Sequence, residues 1–432
     1  MKKLQFLVVL VSSLIAFSSE AAVKIKHWQT ASGSDVYFVE NHDLPIIDMA
    51  LNFPAGSARD TAATSGVAGV TKYMMTLGAA GMNEEVLTNK FADIGAILGG
   101  ELDADRASFK LRTLTSEQEK ALETFNQILH KPDFPQAVLD REKVRIIAGI
   151  NESATMPESI SSKAFMKALY GAHPYSLDES GEVESITAMK RDDLVAFYQQ
   201  YYSAKSAAIA LIGDMTEAQA RAIAESTSSG LPQTPAVAKI AEVAYPSAAN
   251  VQSINHPASQ AHILLGYPGI KRGDVDYFPL YVGNYILGGG GFVSRLTEEV
   301  REKRGLVYSV YSYFMPLAEL GPFQIGLQTK KEQAGEALKL VNEAVAKFIN
   351  NGVTELELKA AKDNIIGGFP MRIDSNGKIL DYLSIIGFYK LPLTYLDDFN
   401  KKVGAVTTAQ IKEAFQRRVK PDNFVSVTVG AN

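Results

Sequence analysis

Two polar side chains, Arg301 and Tyr308, stand seven residues apart where the sequence pattern changes from helix to strand. Four glycines, residues 288–291, precede a charged helical stretch, and Gly305 separates that stretch from an alternating strand. Arginine and tyrosine both donate hydrogen bonds, and such donors can hold a carbonyl oxygen as it gains negative charge. The pair therefore indicates a site for a reacting carbonyl. The alternative is a solvated helix residue beside a half-buried strand aromatic.

Other residues with catalytic or ligand chemistry form weaker patterns. Asp103 and Asp105 could act as paired carboxylates, but a solvated turn or strand edge is the simpler interpretation. The four glycines could cradle a phosphate, yet no Gly-Lys-Ser/Thr follows them, which favours a hinge or close packing. No two histidines stand four apart on a predicted helix, so only the fold could assemble a metal site from them. The six are His27, His42, His130, His173, His256 and His262.

The elements that must position these residues begin with two alternating segments, 36–39 and 48–53. They predict strands joined as a hairpin by a turn at residues 41–43. A helix is predicted next, because apolar residues recur at helical spacing from Val67 to Leu77. The opposite stripe of this helix carries Gly69, Lys72 and Tyr73.

The second half of the chain repeats the first at an offset of about 220 residues, the kind of self-similarity expected of a duplication. The strand predicted at 261–266 corresponds to that at 48–53, and the strand at 425–430 corresponds to 207–213. This predicts an α+β protein of two duplicated domains, each a mainly antiparallel sheet with helices packed on one face. The predicted segments are a signal peptide at 1–21, an N-terminal domain at 22–230, a linker at 231–255 and a C-terminal domain at 256–432.

Composition limits the classes of function. The chain has 432 residues, of which 46% are hydrophobic, and its net charge of -5 includes no long run of one sign, which argues against nucleic acid as a partner. Two lysines, an apolar run at 4–17 and a small-x-small site at 19–21 predict a secretory signal peptide, and hence a bacterial periplasmic protein with no membrane span after its removal. The alternative is an uncleaved N-terminal anchor. Because the sequence has no cysteine, it forms no disulfide.

The segment that carries Arg301 and Tyr308 reads SRL-x4-R-x3-GLVYSV. In this form it resembles the second domain of the M16 (pitrilysin-type, inverzincin) metallopeptidases, particularly the short bacterial M16B subunits that pair as dimers. The resemblance implies a LuxS/MPP-like metallohydrolase fold in both halves. It also implies that Arg301 and Tyr308 reach a zinc site on another domain and bind the substrate carbonyl there.

The same resemblance places a zinc motif, H-x-x-E-H, on the first helix of the first domain, where two histidines and a glutamate share one helix face. In this chain the positions hold Gly69, Lys72 and Tyr73, and the region of the third ligand falls near Gly149 and Ile150, with Glu152 close by. Glycine has no donor atom, and a phenol with a pKa near ~10 is a poor ligand. An ammonium group repels a cation by roughly 4 kcal/mol at 4 Å. The resemblance therefore implies a degenerate site that binds no metal.

Taken together, the resemblance implies the non-metal-binding subunit of a periplasmic heterodimeric M16B zinc peptidase. A partner bearing H-x-x-E-H would supply zinc and the carboxylate base, and this chain would bind no cofactor. The substrate would be an unfolded or short peptide that lies along a sheet edge by strand addition. Two alternatives stay open: a catalytically inactive peptide-binding or scaffold protein of the same fold, and an autonomous peptidase with an unusual metal site.

Overall fold

A computed structural model describes residues 23–430 of the chain, and the predicted signal peptide at 1–21 lies outside this range. The described residues form two large sheets and one short hairpin. The strands are β1 (Lys26–Gln29), β2 (Asp35–Glu40), β3 (Ile46–Phe53), β4 (Gly78–Ala79), β5 (Met82–Asn83), β6 (Ile97–Gly99), β7 (Ala107–Leu114), β8 (Ala208–Gly213), β9 (Asn250–Ile254), β10 (Gln260–Pro268), β11 (Val307–Phe314), β12 (Pro322–Lys330) and β13 (Val425–Val429).

Fourteen α-helices pack around these sheets in the described part of the chain. They are α1 (Val67–Met75), α2 (Glu84–Ala92), α3 (Gln118–His130), α4 (Gln136–Ser153), α5 (Pro157–Tyr170), α6 (Val183–Ala188), α7 (Arg191–Tyr201), α8 (Glu217–Ser229), α9 (Tyr277–Asn284), α10 (Ala334–Asn351), α11 (Glu355–Gly368), α12 (Asn376–Phe388), α13 (Tyr395–Ala405) and α14 (Thr408–Arg418). Within residues 23–430, no helix combines the length and the apolar character needed to cross a membrane.

The two sheets repeat one topology. The first runs in the order β1-β2-β8-β3-β7-β6 and the second in the order β11-β12-β10-β13-β9. Each contains one parallel pair, β2 with β8 and β9 with β13, and its other pairs are antiparallel. Apart from β1, every strand of the first sheet has a counterpart in the second, and the edge strands β6 and β11 are equivalent. The predicted duplicated α+β fold is confirmed.

The predicted hairpin between β2 and β3 is wrong, because β8 lies between them. This strand is buried along its whole length and pairs with β2 on one side and β3 on the other. The backbone N–H of Asn41, in the predicted turn, donates to the carbonyl oxygen of Gly213 at 3.1 Å. An apolar strand that is buried throughout needs neighbours on both sides to satisfy its backbone. The hairpin of this region is instead formed by β1 and β2.

Each sheet is covered on its second face by a helix from the other half of the chain. Helix α12 packs against β3 and β8, and α5 packs against β10 and β13. The first contact joins Ile379, Leu380 and Leu383 to Val39, Ala50, Ala210 and Ile212. The second joins Phe165 and Leu169 to Leu264, Val425 and Val427. Helices thus cover both faces of each sheet, and each half completes the core of the other.

Asp105 ties the halves together at their junction. Its carboxylate accepts hydrogen bonds from the Tyr175 hydroxyl at 2.6 Å, the Ala318 backbone N–H at 2.6 Å and the Tyr389 hydroxyl at 2.8 Å. Burial raises the pKa of Asp105, and these three hydrogen bonds act in the opposite direction. The expected solvated turn is therefore wrong for Asp105, which is a buried structural group, and Asp103 pairs with Arg106 at 2.9 Å rather than with Asp105.

Candidate functional site

Helix α1, which carries Gly69, Lys72 and Tyr73, is fixed at its start by a buried carboxylate. Asp60 accepts hydrogen bonds from the backbone N–H groups of Gly66 at 2.7 Å and Ala68 at 3.1 Å. A negative charge at a helix start satisfies free N–H groups and complements the helix dipole. The apolar stripe of α1 is buried in the first core, as its spacing predicts. The opposite stripe of α1, with Gly69, Lys72 and Tyr73, therefore faces solvent and β6.

Gly69 lies where no side chain fits. A Cβ added at this position would lie 2.9 Å from the carbonyl oxygen of Glu179, which is closer than real Cβ contacts allow. Glu179 belongs to the loop between α5 and α6, so any larger residue at position 69 would have to displace that loop. The glycine is thus part of the packing of this chain.

We expect Gly69→Ala and Gly149→Ala to change stability in opposite directions, although both glycines lie inside helices. The first should lower the free energy of unfolding by about 1–3 kcal/mol through overpacking against Glu179. The second should raise it by roughly 0.5–1 kcal/mol, because nothing lies near its Cβ and alanine favours the helix. Urea unfolding of both variants measures the two effects. Equal changes would contradict the close approach at Gly69.

Lys72 occupies the position of the catalytic base in the predicted motif, but it makes different contacts. Its Nζ donates to the carbonyl oxygen of Gly100 at 3.3 Å and lies 5.3 Å from the centre of the Phe109 ring. Burial lowers the pKa of Lys72, and the charge of Glu101 partly opposes that shift. The side chain is therefore a partly buried cation held by a carbonyl and an aromatic face.

Tyr73 is linked to a buried glutamate that the sequence did not single out. Its hydroxyl donates to Glu142 Oε2 at 3.3 Å, and Arg141 Nε donates to Glu142 Oε1 at 2.6 Å. Burial, followed by the charge of Glu142, raises the pKa of Tyr73. Glu142 lies on α4, seven residues before Gly149, so it shares a face of that helix with the predicted third-ligand region. In the sequence, the signal that could have identified Glu142 was its place two helical turns before the predicted third-ligand region.

These residues do not fit a metal ion. Gly69 offers no donor, the Lys72 ammonium repels a cation, and the Tyr73 hydroxyl is already engaged by Glu142. In the part of the chain that the structure describes, no three His, Asp or Glu side chains converge as a metal site. On an exposed surface, His42 contacts Asp214 at 2.6 Å and Glu40 at 3.1 Å, and these three side chains do not form a metal site.

A cavity of about 530 Å³, a size typical of ligand pockets, opens beside Lys72. It is walled by α1, by α2 and by the edge strand β6, with Leu87, Phe91 and Phe109 among its apolar lining residues. Among residues 23–430, β6 pairs only with β7, so no strand of this range pairs with the other side of residues 97–99. The cavity therefore combines one cation, an apolar wall and an open strand edge.

Arg301 and Tyr308 are brought together at the equivalent edge of the second sheet. Tyr308 is the extra residue of a β-bulge in β11, between Val307 and Ser309, and 78% of its surface is exposed. Bulges redirect side chains, and this one turns Tyr308 toward Arg301. The Arg301 guanidinium lies 5.8 Å from the Tyr308 ring centre and 4.7 Å from that of exposed Phe292. The alternative interpretation is a solvated arginine beside a half-buried tyrosine. It does not describe this stack.

The segment before this stack is shaped by its glycines. Arg301 lies in a π-helical turn, Thr297–Glu302, and a second π-helical turn, Tyr285–Gly289, contains the first two glycines of the run. A Cβ at Gly288 would lie 2.4 Å from Ser312 Oγ and 2.9 Å from Leu296 Cδ1. Close packing, one of the two roles predicted for these glycines, is confirmed at Gly288. Short π-helical turns inside helices are common at functional sites.

The two groups of residues stay apart within one chain. The contacts of Lys72 and Tyr73 involve residues of the first half, and those of Arg301 and Tyr308 involve residues of the second half. Across residues 23–430, no hydrogen bond, ion pair or ring contact joins the two groups. Within residues 23–430, the side chains of Arg301 and Tyr308 make no hydrogen bond, and the one ion-pair contact of Arg301 is with Glu302 at 3.9 Å, so their donors can meet a group from outside the chain.

Comparison with known proteins agrees with this architecture. The sequence profile of the insulinase family (peptidase family M16) matches residues 36–179, and that of the peptidase M16 inactive domain matches residues 188–365. A crystal structure of a peptidase M16 inactive domain from Pseudomonas fluorescens shares 40% identity, covers 95% of this chain and 98% of its own, and superposes with a TM-score of 0.92. The chain belongs to the M16 peptidase family.

Two curated relatives of this M16 chain have contrasting names. An uncharacterized zinc protease of Streptomyces coelicolor is 26% identical over 369 residues, which is 83% of this chain and 79% of the relative. A protein of Helicobacter pylori named a non-peptidase homolog is 25% identical over 385 residues, 88% of this chain and 87% of the relative. The family resemblance read from SRL-x4-R-x3-GLVYSV is confirmed. The assignment of Gly69, Lys72 and Tyr73 to the positions of the zinc motif stays a prediction.

Proposed function

We propose that this M16 chain is the non-metal-binding subunit of a heterodimeric zinc peptidase. One observation carries the proposal: Arg301, on a π-helical turn, stacks on Tyr308 at the exposed bulge of the edge strand β11, in a chain whose own α1 does not fit a metal. A pair of free donors at a surface is suited to a carbonyl that arrives with another molecule. The proposal divides one active site between two chains.

In this division, the partner chain bears H-x-x-E-H and supplies zinc and the carboxylate base. The residues of this chain bind and orient the substrate. The Arg301 guanidinium and the Tyr308 hydroxyl donate hydrogen bonds to the scissile carbonyl oxygen and stabilise the charge that develops on it. The stacking of Arg301 on Phe292 limits the directions in which the guanidinium can point, which reduces the cost of ordering it during the reaction.

The proposed substrate is an unfolded or short peptide. The chain has two equivalent open strand edges, β6 and β11, and an extended peptide can pair with such an edge through its backbone. Because main-chain hydrogen bonds carry that binding, the side chains of the substrate are little restricted. Folded proteins lack a free strand to offer, so they are poor substrates for this mode of binding.

We place this pair in the bacterial periplasm. The support is the N-terminal sequence, in which two lysines, an apolar run and a small-x-small site follow the order of a secretory signal peptide. The absence of cysteine from the sequence removes disulfides from the fold, so folding there would need no thiol chemistry. Cleavage after residue 21 would release a chain that begins just before the described residues.

A second candidate is a catalytically inactive peptide-binding or scaffold protein of the same fold. The Helicobacter pylori relative, 25% identical, bears the name of a non-peptidase homolog, which favours this alternative. A scaffold has no need of Arg301 and Tyr308 at an exposed edge, and this favours the peptidase subunit.

Reconstitution tests the proposal. The purified chain is mixed with an M16 chain of the same organism that carries H-x-x-E-H, and hydrolysis of a quenched fluorescent, unstructured peptide is followed together with zinc per chain. We expect one zinc in the partner, none in this chain, and turnover only in the mixture. Turnover by the partner alone that equals that of the mixture would overturn the proposal. Stoichiometric zinc in this chain alone would establish the autonomous peptidase instead.

A further inference from the structure

The cavity beside α1 contains a cation with no carboxylate of its own. Within residues 23–430, no acidic oxygen lies within ion-pair distance of Lys72 Nζ, whose only hydrogen bond is to the carbonyl oxygen of Gly100. A partly buried ammonium with one long hydrogen bond retains donors for a further acceptor. Burial that lowers the pKa of Lys72 also makes an opposite charge beside it favourable.

The nearby acidic side chains are already committed to other partners. Glu101 contacts Lys110 at 3.0 Å and Arg106 at 3.5 Å. Glu84, in the cavity wall, contacts Arg141 at 3.1 Å. Glu142 accepts hydrogen bonds from Arg141 and Tyr73. Glu101 acts on Lys72 only from beyond ion-pair distance, so a carboxylate in direct contact with Lys72 would come from a ligand.

The free edge of β6 indicates what kind of ligand carries that carboxylate. Residues 97–99 present unpaired backbone groups, Ile97 is 62% exposed, and nothing lies near the Cβ position of Gly99. An extended backbone can approach this edge and pair with it. Lys72 Nζ contacts Gly100, the residue that directly follows β6. The positive charge of Lys72 therefore lies at one end of the free edge. A peptide paired with β6 therefore has a cation near one of its ends.

We propose that this cavity binds the C-terminal end of an extended peptide, whose backbone pairs with β6 and whose terminal carboxylate pairs with Lys72. The inference extends the proposed function, since it takes peptides as the ligands of the chain. The volume of 530 Å³ suits a few residues rather than a long segment. The apolar side of the cavity, with Leu87, Phe91 and Phe109, contacts the side chains that alternate along the peptide.

A terminal carboxylate suits the site better than an acidic side chain does. The side chains of a strand point to the faces of its sheet, whereas the terminal carboxylate continues the line of the backbone. Lys72 Nζ lies over the Phe109 ring, and its hydrogen bond goes to the backbone at Gly100, at the end of β6. The position that holds a catalytic base in the metal-binding members would thus serve here to recognise a chain end.

The test compares two peptides on the chain alone. A fluorescein-labelled octapeptide of alternating Ala and Thr, without charged side chains, is prepared as the free acid and as the C-terminal amide. Fluorescence anisotropy measures the affinity of each. We expect the free acid to bind at least about tenfold more tightly, because a hydrogen bond to a charged partner is lost in the amide.

Two variants assign that preference to Lys72. Lys72→Met should lower the affinity for the free acid to that for the amide and leave the amide affinity unchanged, which also shows that the variant is folded. Lys90→Met is the matched control, since Lys90 lies on α2 but does not line the cavity, and it should keep the full preference. A preference that survives Lys72→Met would overturn the inference.

Three further outcomes would also overturn it. They are equal binding of the two peptides, no binding of either, and binding of an amide with a penultimate aspartate as tight as that of the free acid. The last outcome would assign the site to acidic side chains. The measurement needs neither partner nor turnover, so it is separate from the test of the proposed function. Turnover in the mixture without any preference for the free acid would remove this inference alone, and a preference without turnover would remove the peptidase role alone.

Discussion

Replacing Arg301 by alanine is expected to lower the turnover number of the reconstituted pair by about 10²–10³-fold, the usual cost of removing one oxyanion donor. Tyr308→Phe, which removes only the hydroxyl, should have an effect of the same order. Tyr308 is exposed at the bulge of β11, and Arg301 is partly exposed on the neighbouring π-helical turn, so neither change should disturb the fold. The KM for the peptide should change less than kcat, because the lost hydrogen bonds strengthen as charge develops on the oxygen.

Tyr311→Phe provides the control for this experiment. Tyr311 lies on the same strand, three residues further on, and stacks on Tyr313 with ring centres 6.0 Å apart rather than on Arg301. Its hydroxyl is not part of the Arg301–Tyr308 pair, so the turnover number should change by less than about twofold, within the small effects typical of substitutions away from a site. Unchanged turnover in both Arg301→Ala and Tyr308→Phe would remove these residues from the mechanism.

Asp105→Ala is expected to lower the free energy of unfolding by about 3–5 kcal/mol, because three donors are left in a buried junction without their acceptor. Those donors come from Tyr175, Ala318 and Tyr389, and the last two belong to the second half of the chain. Urea unfolding at one fixed pH measures the change. The pH must be held constant, since a carboxyl whose native pKa is raised contributes less stability as pH rises from its unfolded value toward its native one.

Asp381→Ala is the matched control for Asp105. Asp381 also joins the two halves, through an ion pair with Lys110 at 2.7 Å, but 56% of its side chain is exposed. Exposed pairs are screened by solvent and contribute about 0–1 kcal/mol, so this variant should remain close to the wild type. If the two variants lost equal stability, the buried network at Asp105 would not be what holds the junction.

Features set by local patterns along the chain could be predicted from the sequence. The spacing from Val67 to Leu77 identified α1 and the stripe that carries Gly69, Lys72 and Tyr73, because a helix of that period has one apolar face. The repeat at a constant offset identified the duplicated sheets. The sequence SRL-x4-R-x3-GLVYSV located the pair that the structure stacks at the edge of the second sheet.

Features set by contacts between distant segments could not be predicted in this way. The insertion of β8 between β2 and β3 depends on strand pairing across more than one helix, which no local pattern encodes. The bulge at Tyr308 depends on its register with β12. Glu142 and Asp105 looked like ordinary exposed carboxylates, and only the fold buries them and supplies their donors.

The exchange of α5 and α12 between the halves has a consequence for how the protein is made. The first sheet is complete once residue 213 has been synthesised, but the helix that covers its outer face begins at Asn376. Until then, Val39, Ala50, Ala210 and Ile212 form an uncovered apolar surface on the nascent chain. The N-terminal half therefore cannot mature as an independent unit on the ribosome, and a truncated chain that ends in the predicted linker at 231–255 should expose this surface and aggregate.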